Sequence, residues 1–315
     1  MKEFWRKIMK GNPISDYVEV VVNPYASLSP KNRKGIMVGG PWAKEITEFI
    51  KDNDIRAVYL NISRGWKGSD YSFLAELTTI EELNIITSDA HNVSSIESMS
   101  SLKDLSLTCS TKEKVDFSKL KNLEKCFLYW WPGASGIFEC VSLKCLYIDE
   151  AKLKDYSPLG ALKNLQSLTI GNSPVKSISW LSELNDLTEL TMLNIRTLND
   201  FSPIEYCKQL KRLTIRGSKS LADLGFMSSL SKLEFISISD NSEINSLKPL
   251  SGLNNLKALS FAGSSIIKDG DLSILETFPK LSMLMFQGRR NYSHKLIKKW
   301  DWKNFDNPDT LLQKK

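Results

Sequence analysis

The chain has 315 residues, of which 42% are hydrophobic and 25% charged, as in an ordinary globular protein. No stretch approaches about 18 consecutive apolar residues, so we expect no membrane span. The net charge of +6 is uneven, because residues 1–44 and 289–315 each carry +5 while residues 45–288 carry −4. Nucleic-acid binders place basic residues along the binding surface. Confinement of the positive charge to the two ends therefore argues against a nucleic-acid partner.

The first 54 residues are predicted to form an N-terminal cap, a strand plus an amphipathic helix. Met1 to Lys10 is charged and lacks the apolar run of a signal peptide, which favours a cytoplasmic protein. Tyr17 to Val22 is valine-rich and predicts the strand, whereas Lys31 to Gly40 is interpreted as a basic, glycine-containing loop. Pro41 opens the predicted helix, whose apolar face consists of Trp42, Ile46, Phe49 and Ile50.

A cap of this kind is expected because an uncovered terminal repeat exposes its core to water. Removal of residues 1 to 54 is therefore expected to expose a strand edge that promotes aggregation. The basic stretch Lys31 to Lys34 makes no obvious contribution to such a cap. We expect it to be dispensable for folding.

From Ile55 to Phe286 the chain repeats one phrase eleven times: apolar, two variable residues, apolar, one variable residue, apolar. Successive copies are 20 to 25 residues apart, which is the period of a leucine-rich repeat. The last two apolar residues of each copy lie on one side of a strand, and one repeat cannot bury that side alone. The middle apolar residues are Val58, Leu83, Leu105, Cys126, Leu146, Leu168, Leu190, Leu213, Ile236, Leu259 and Leu284.

The segments between strands carry a second pattern, with apolar residues three positions apart. This spacing suits short 3₁₀ or single-turn segments rather than long helices. The four sets are Leu153-Tyr156-Leu159, Val175-Ile178-Leu181, Leu198-Phe201-Ile204 and Ile244-Leu247-Leu250. In both patterns the chain resembles the short-repeat, internalin-like subclass of leucine-rich-repeat proteins, over roughly residues 55–288. It departs from that subclass where an asparagine usually follows the strand, since only Asn172, Asn194 and Asn241 lie near that place.

The predicted fold class is α/β, a leucine-rich-repeat solenoid with N- and C-terminal caps. We expect a curved parallel β-sheet horseshoe of about eleven strands, with short 3₁₀ or loop segments on the convex side. The repeats span residues 55–288, and residues 289–315 form a basic C-terminal cap. The apolar residues expected to cover the last strand are Leu296, Ile297, Trp300, Trp302 and Phe305.

Residues suited to catalysis or metal binding form no recognisable motif. The five cysteines are odd in number and include no CxxC pair, so a structural role is favoured, with Cys126 in a core leucine position. His91 and His294 lie far apart in the repeat series, and a catalytic triad would require distant repeats to come together. Gly35 to Pro41 lacks the spacing of a P-loop or dinucleotide loop. We therefore predict no enzyme, no cofactor and no metal site.

The side chains that alternate with the core leucines are expected to face the concave surface. Clustered exposed aromatics are unusual on a surface without a partner, and Tyr, Trp and Arg are enriched at interface hot spots. We predict a partner-binding patch, with Arg212 and Arg216 at its rim; for single rings, packing across strands is the alternative. The patch consists of Phe127, Tyr129, Trp130, Trp131 and Tyr147, beside Asp149 and Glu150.

Three functional hypotheses follow. The first is a monomeric, non-catalytic protein-binding module that grips a partner protein on its concave face, as a regulator or inhibitor. The resemblance to bacterial leucine-rich-repeat proteins makes a virulence or toxin-neutralising protein an example of this class. The alternative is a binder of an acidic ligand or a membrane surface through the basic terminal caps, which strong salt dependence would identify. The third is a structural spacer, against which the aromatic patch argues.

Overall fold

The computed structural model describes residues 14–22, 33–296 and 312–314, and the chain divides into two compact units, Met1–Leu146 and Tyr147–Lys315. The sheet of the first unit has the strand order β1-β2-β3-β4-β5-β6. β1 is antiparallel to β2, and all later pairs are parallel. The elements are β1 (Val18–Val22), β2 (Lys34–Val38), α1 (Lys44–Asp52), β3 (Ala57–Asn61), β4 (Glu82–Ile86), β5 (Asp104–Thr108) and β6 (Lys125–Tyr129).

The division between the units falls within the next strand, β7 (Cys145–Asp149). In the second unit the strand order is β8-β9-β10-β11-β13-β15, and every pair is parallel. Two further pairs are β12 with β14 (parallel) and β16 with β17 (antiparallel). The strands are β8 (Ser167–Gly171), β9 (Glu189–Leu193), β10 (Arg212–Arg216), β11 (Phe235–Ser237), β12 (Glu243–Ile244), β13 (Ala258–Phe261), β14 (Ile266–Ile267), β15 (Met283–Phe286), β16 (His294–Leu296) and β17 (Leu312–Lys314).

Each of the eleven predicted repeats forms a strand, so the leucine-rich-repeat solenoid is confirmed as the fold class. The middle apolar residue of every copy, including Cys126, is at most 3% exposed. The return segments are 3₁₀ helices of three to eight residues. They begin directly after the apolar residues Tyr156, Ile178, Phe201 and Leu247, as the spacing of three predicts. We call the side of each sheet that bears the alternating side chains the open face; it is the side predicted to be concave.

The N-terminal segment adds strands to the first sheet. The predicted strand near Val18 is confirmed, and α1 buries Ile46, Phe49 and Ile50 as predicted. The helix begins at Lys44 rather than at Pro41, and Trp42 lies before it, stacked on Phe73 at 3.9 Å. Most of the predicted C-terminal cap, with Ile297, Trp300, Trp302 and Phe305, lies outside the described residues. The boundaries of the two caps remain predictions.

The prediction that Lys31 to Gly40 is a loop is wrong, because Lys34–Val38 is β2. Its Ile36 and Val38 are fully buried and pair with β3. The glycine that suggested a loop has a packing role instead. A Cβ atom on Gly35 would lie 2.7 Å from the ring of Tyr59, so only glycine lets the two strands and that ring fit together.

The expected dispensability of Lys31 to Lys34 is contradicted by Arg33, whose side chain is only 7% exposed. Its Nη1 donates to Glu82 Oε2 at 2.9 Å and to Asp104 Oδ2 at 2.8 Å. The hydroxyl of Tyr59 donates to the other Glu82 oxygen at 2.8 Å. Burial by itself lowers the pKa of Arg33, but the hydrogen bonds and charges of these carboxylates raise it above its ordinary value. Arg33 thus ties the N-terminal segment to the open face of β4 and β5.

We predict that Arg33→Ala lowers the free energy of unfolding by about 3 kcal/mol, because Glu82 and Asp104 lose the cation that compensates their buried charges. Chemical denaturation of the full chain measures the change. The matched control is Arg64→Ala, which removes an exposed arginine. Equal stability of the two variants would contradict a structural role for Arg33.

In the second unit, strands β7 to β10 are each followed directly by a residue with left-handed backbone conformation, namely Glu150, Asn172, Asn194 and Gly217, and Asp240 adopts it after β11 (φ from 48° to 72°). At Gly217 the φ is 72°, and a Cβ atom would overlap Asn194 Oδ1. Asparagine and aspartate tolerate this conformation better than other non-glycine residues. The choice of residue at this point of the turn is therefore constrained by backbone geometry as well as by side-chain contacts.

Gly217→Ala is expected to destabilise the protein by about 1–2 kcal/mol, because alanine is strained at positive φ and its methyl group meets Asn194. The control is Gly252→Ala, where the nearest atom to an added Cβ is 3.9 Å away. Thermal unfolding of both variants gives the comparison. A similar effect at the two positions would show that the turn geometry is not the cause.

Candidate functional site

The open face of the first unit carries two of the predicted aromatic residues on β6. The parallel register places Phe127 beside Ser106 and Lys125 beside Asp104. Phe127 is half-buried, whereas Tyr129 is 37% exposed at the end of the strand. Lys125 Nζ lies 4.0 Å from Asp104 Oδ1. Two rings next to a lysine form a surface that offers both apolar contact and hydrogen bonding to a partner.

The two tryptophans that follow β6 pack against phenylalanine rings. Trp130 is half-buried and stacks on Phe138 of the 3₁₀ segment Pro132–Glu139, with ring centroids 5.6 Å apart. Trp131 is only 4% exposed, contacts Phe117, and donates its indole N–H to the carbonyl of Glu113 at 2.7 Å. The predicted exposure of Trp131 is therefore corrected: it is a packing residue.

The position of Trp131 within its repeat identifies it as a buried residue. It follows the middle apolar residue, Cys126, by five positions. The residues five positions after the middle apolar residue of the next five copies are all at most 2% exposed: Ala151, Ser173, Ile195, Ser218 and Asn241. Trp131, at 4% exposure, belongs to this buried column, although tryptophan is also a residue type typical of interfaces.

In the second unit, Tyr147 and Asp149 lie on the open face of β7, and Glu150 is exposed in the turn. Burial, and then the charge of Asp149, raises the pKa of Tyr147, which stays a neutral hydrogen-bonding group at physiological pH. Asn172 Nδ2 donates to Asp149 Oδ1 at 2.8 Å, and Asn194 Nδ2 donates to Asn172 Oδ1 at 2.8 Å. These contacts form an amide ladder along the strand ends.

Arg212 and Arg216 lie on the same open face, at the two ends of β10. The Arg212 guanidinium carbon lies 4.5 Å from the ring centroid of Phe235, and its Nε is 3.7 Å from Glu189 Oε1. Arg216 Nε donates to Asp240 Oδ2 at 2.8 Å. Both arginine side chains are more than half exposed. A guanidinium over an aromatic ring is held in place at modest energetic gain and keeps donors for a ligand.

A column of buried polar residues was not predicted from the sequence. Asn241 is 2% exposed, donates to the carbonyl of Ile215 at 2.8 Å and accepts from the amide of Ser218 at 2.8 Å. Its neighbour Ser265 donates to the carbonyl of Ile238 at 2.6 Å. In the sequence Asn241 resembles Asn172, but it lies one residue further along its repeat. The structure therefore assigns Asn241 to backbone support and Asn172 to the surface turn.

Ser293, His294 and Glu276 form the arrangement most similar to a catalytic triad. The Ser293 hydroxyl is 2.7 Å from His294 Nδ1, and His294 Nε2 is 3.0 Å from Glu276 Oε1. Burial is inverted relative to a working triad, because His294 is 1% exposed while the carboxylate is 56% exposed. The Ser293 oxygen also accepts the backbone N–H of Leu272 at 2.9 Å. These contacts attach β16 to the last return segment.

The comparisons with known proteins concern the fold. An internalin from Listeria monocytogenes superposes with a TM-score of 0.62 at 19% identity, over 92% of this chain and 90% of the internalin. A leucine-rich-repeat protein from Leptospira interrogans gives a TM-score of 0.59 at 20% identity, over 78% of this chain and 69% of that protein. No protein-family model and no curated protein sequence matches the chain. The fold is that of leucine-rich-repeat proteins, and identities this low show the fold alone.

Three further properties complete the description of the described residues. Among the described residues, no helix has both the length and the apolar character that a membrane crossing requires. Within the same ranges, no three His, Cys, Asp or Glu side chains are grouped in a way that suits a metal ion. Burial raises the pKa of Cys207 to about 12 and, ahead of the charges of Asp89 and Glu113, that of Cys109 to about 11.

We predict that the native thiols react slowly, because four of the five cysteines are buried and their thiolates are disfavoured. In a timed labelling with iodoacetamide at about pH 8, a pH close to the ordinary pKa of a free thiol, Cys145 is expected to react first, and Cys109, Cys126, Cys140 and Cys207 only after unfolding. Mass spectrometry of the digested protein identifies the labelled sites. Rapid labelling of Cys126 in the folded protein would contradict the structural role assigned to it.

Proposed function

We propose that this protein is a non-catalytic binding module that recognises a partner protein through the open faces of its two units and acts as a regulator or inhibitor of that partner. The observation that carries this proposal is the exposure of Tyr129 and Arg212 on strands whose apolar side is fully buried in the core. Tyrosine and arginine at such positions are typical of interface hot spots. The burial of His294 beside an exposed Glu276, the inverse of a working triad, supports a non-catalytic role.

The proposed surface consists of separate groups in the two units. In the first unit it contains Phe127 and Tyr129, with Trp130 contributing at the edge. In the second unit it contains Tyr147, Asp149 and Glu150, together with Arg212 and Arg216. Trp131 is excluded because it is buried. A cytoplasmic location and a monomeric state remain part of the proposal.

The alternative, recognition of an acidic surface by the basic caps, receives less support from the described residues. Arg33, one of the basic residues of the N-terminal cap, is buried against Glu82 and Asp104 and is therefore not offered to a ligand. Many of the other basic residues of the caps lie outside the described ranges. Binding to anionic vesicles that disappears at high salt would favour this alternative.

Tyr129→Ala and Tyr147→Ala are each expected to weaken partner binding by about 2 kcal/mol, roughly thirtyfold, because each removes a large amphipathic contact. A partner captured with the full chain and then purified provides the ligand for calorimetric titration. The melting temperature of each variant shows whether folding has changed.

The matched control is Tyr206→Ala, which removes a tyrosine that is 55% exposed on a 3₁₀ return segment rather than on the open face. This variant is expected to bind the partner with unchanged affinity. The proposal fails if Tyr206→Ala weakens binding as much as the open-face variants do. It also fails if the open-face variants lose stability and keep their affinity.

A further inference from the structure

Three carboxylates of the first unit lie around one cation at the start of β4 and β5. Glu82 and Asp104 are the first residues of these strands, and Glu81 directly precedes β4; we call the three the carboxylate cluster. Nη1 of Arg33 donates to Glu82 Oε2 at 2.9 Å and to Asp104 Oδ2 at 2.8 Å. Nη2 of the same guanidinium lies 3.4 Å from Glu81 Oε2. Two nitrogens of one planar group thus meet three carboxylates, which suits the fork of a guanidinium better than the single nitrogen of an ammonium.

Neighbouring side chains hold Glu82 and Asp104 in one orientation. The hydroxyl of Tyr59, which is 1% exposed, donates to Glu82 Oε1 at 2.8 Å. Lys125 Nζ lies 4.0 Å from Asp104 Oδ1. In each carboxylate it is the other oxygen that accepts from Arg33, so neither has to turn in order to receive a guanidinium. A site whose polar groups are already oriented binds its ligand at a lower entropic cost.

The route from β2 to the carboxylate cluster passes over two small residues. The parallel register aligns Gly35, Ala57, Glu82 and Asp104 across β2 to β5. Because Arg33 lies beside β2 while its guanidinium lies at β4 and β5, its side chain crosses β3. Glycine and alanine leave room for that crossing, whereas a larger side chain at either position would stand in its way. This part of the open face therefore accommodates an arginine side chain along its whole length.

Arg33 is not part of a strand, since β2 begins at Lys34. Backbone pairing holds β2 against β3 and does not involve the Arg33 side chain. The side chains of Glu81 and Asp104 are 27% and 13% exposed, so the carboxylate cluster borders solvent. The Arg33 side chain can therefore leave the cluster toward solvent while β2 stays in the sheet.

We propose that the carboxylate cluster is a binding site for an arginine side chain of the partner protein, and that Arg33 occupies this site in the free protein. The cluster lies on the open face, and its Asp104 is in register with Lys125 of β6, the strand that carries Tyr129. An arginine from the partner makes the same contacts as Arg33, and the exchange leaves the buried charges paired throughout. This inference rests on the proposed function and names an anchor residue of the partner.

The first test uses the full chain with Arg33→Ala and the small cation methylguanidinium, at constant ionic strength. About 20 mM is expected to raise the melting temperature of this variant by about 3 °C in a saturable way, because a millimolar ligand that binds only the folded chain stabilises it. If Arg33→Ala is unfolded in buffer, recovery of its circular dichroism spectrum by the same addition is the measurement. Methylammonium has the charge without the fork, and urea has the planar shape without the charge, so neither is expected to act.

The controls keep the site occupied or remove one of its carboxylates. The natural chain and Arg64→Ala retain Arg33 and are expected to show no shift with methylguanidinium. The double variant Arg33→Ala, Glu82→Gln is expected to lose the response of the single variant. The inference is overturned if Arg33→Ala shows no saturable response, if methylammonium or urea acts equally, or if Arg64→Ala responds to the same extent.

Binding of the purified partner tests whether the site serves recognition. Arg33→Ala, measured at a temperature where it is folded, is expected to bind the partner about tenfold more tightly because the internal competitor is gone. Methylguanidinium is expected to weaken that binding. Arg33→Gln provides the same comparison if the alanine variant does not fold. Unchanged or weaker binding by these variants would overturn the assignment of the site to an arginine of the partner.

Failure of this inference is distinguishable from failure of the proposed function. If the partner requires Tyr129 or Tyr147 but binds Arg33→Ala with unchanged affinity, the carboxylate cluster is not a recognition site, while the binding function stands. If neither the tyrosine variants nor Arg33→Ala changes partner binding, the proposed function itself is wrong.

Discussion

The structure depends on one constraint: no repeat can bury its own apolar side chains, so every strand must be covered by its neighbours. In the second unit, parallel pairing places Leu168 against Leu190 and Ile170 against Met192, and all four are at most 1% exposed. Because side chains alternate along a strand, burial of this column forces the residues between its members onto the open face. The column that stabilises the fold thus also determines which residues are available for binding.

The two units use their open faces differently. In the first unit, Glu82 and Asp104 are bound by Arg33, so these carboxylates are part of the folded framework. Burial also raises the pKa of Asp104, in opposition to the hydrogen bond from Arg33, so the carboxylate depends on that cation for its charge. The exposed residues of that face lie further along, near Tyr129. In the second unit, Glu189, Arg212 and Phe235 follow one another across adjacent strands, so acidic, basic and aromatic side chains adjoin on that face.

Polar residues inside the repeats have a supporting role that leucine patterns do not reveal. Asn241 and Ser265 satisfy backbone groups in the turns between strand and return segment. A buried backbone amide or carbonyl without a partner is costly, so these side chains hold the turn in the geometry that the strands require. The corresponding turns of earlier repeats place Asn172 and Asn194 at the surface, where they form a ladder with Asp149. Adjacent positions of one repeat therefore serve two purposes, internal support of the backbone and formation of the surface ladder.

The sequence by itself determined the repeat architecture, because the LxxLxL spacing is a direct consequence of strand alternation and shared burial. It also determined that Phe127, Tyr129 and Tyr147 occupy open-face positions, since these residues alternate with core leucines. Only the tertiary structure decided which residues Arg33 contacts and whether Trp131 is buried. Arg33 finds its partners 49 and 71 residues away, and no local pattern encodes that contact. Trp131 is buried because a turn directs it toward Phe117, whereas its residue type alone is typical of an interface. Contacts that form between residues distant in sequence are selected by packing, and packing is settled only when the chain has folded.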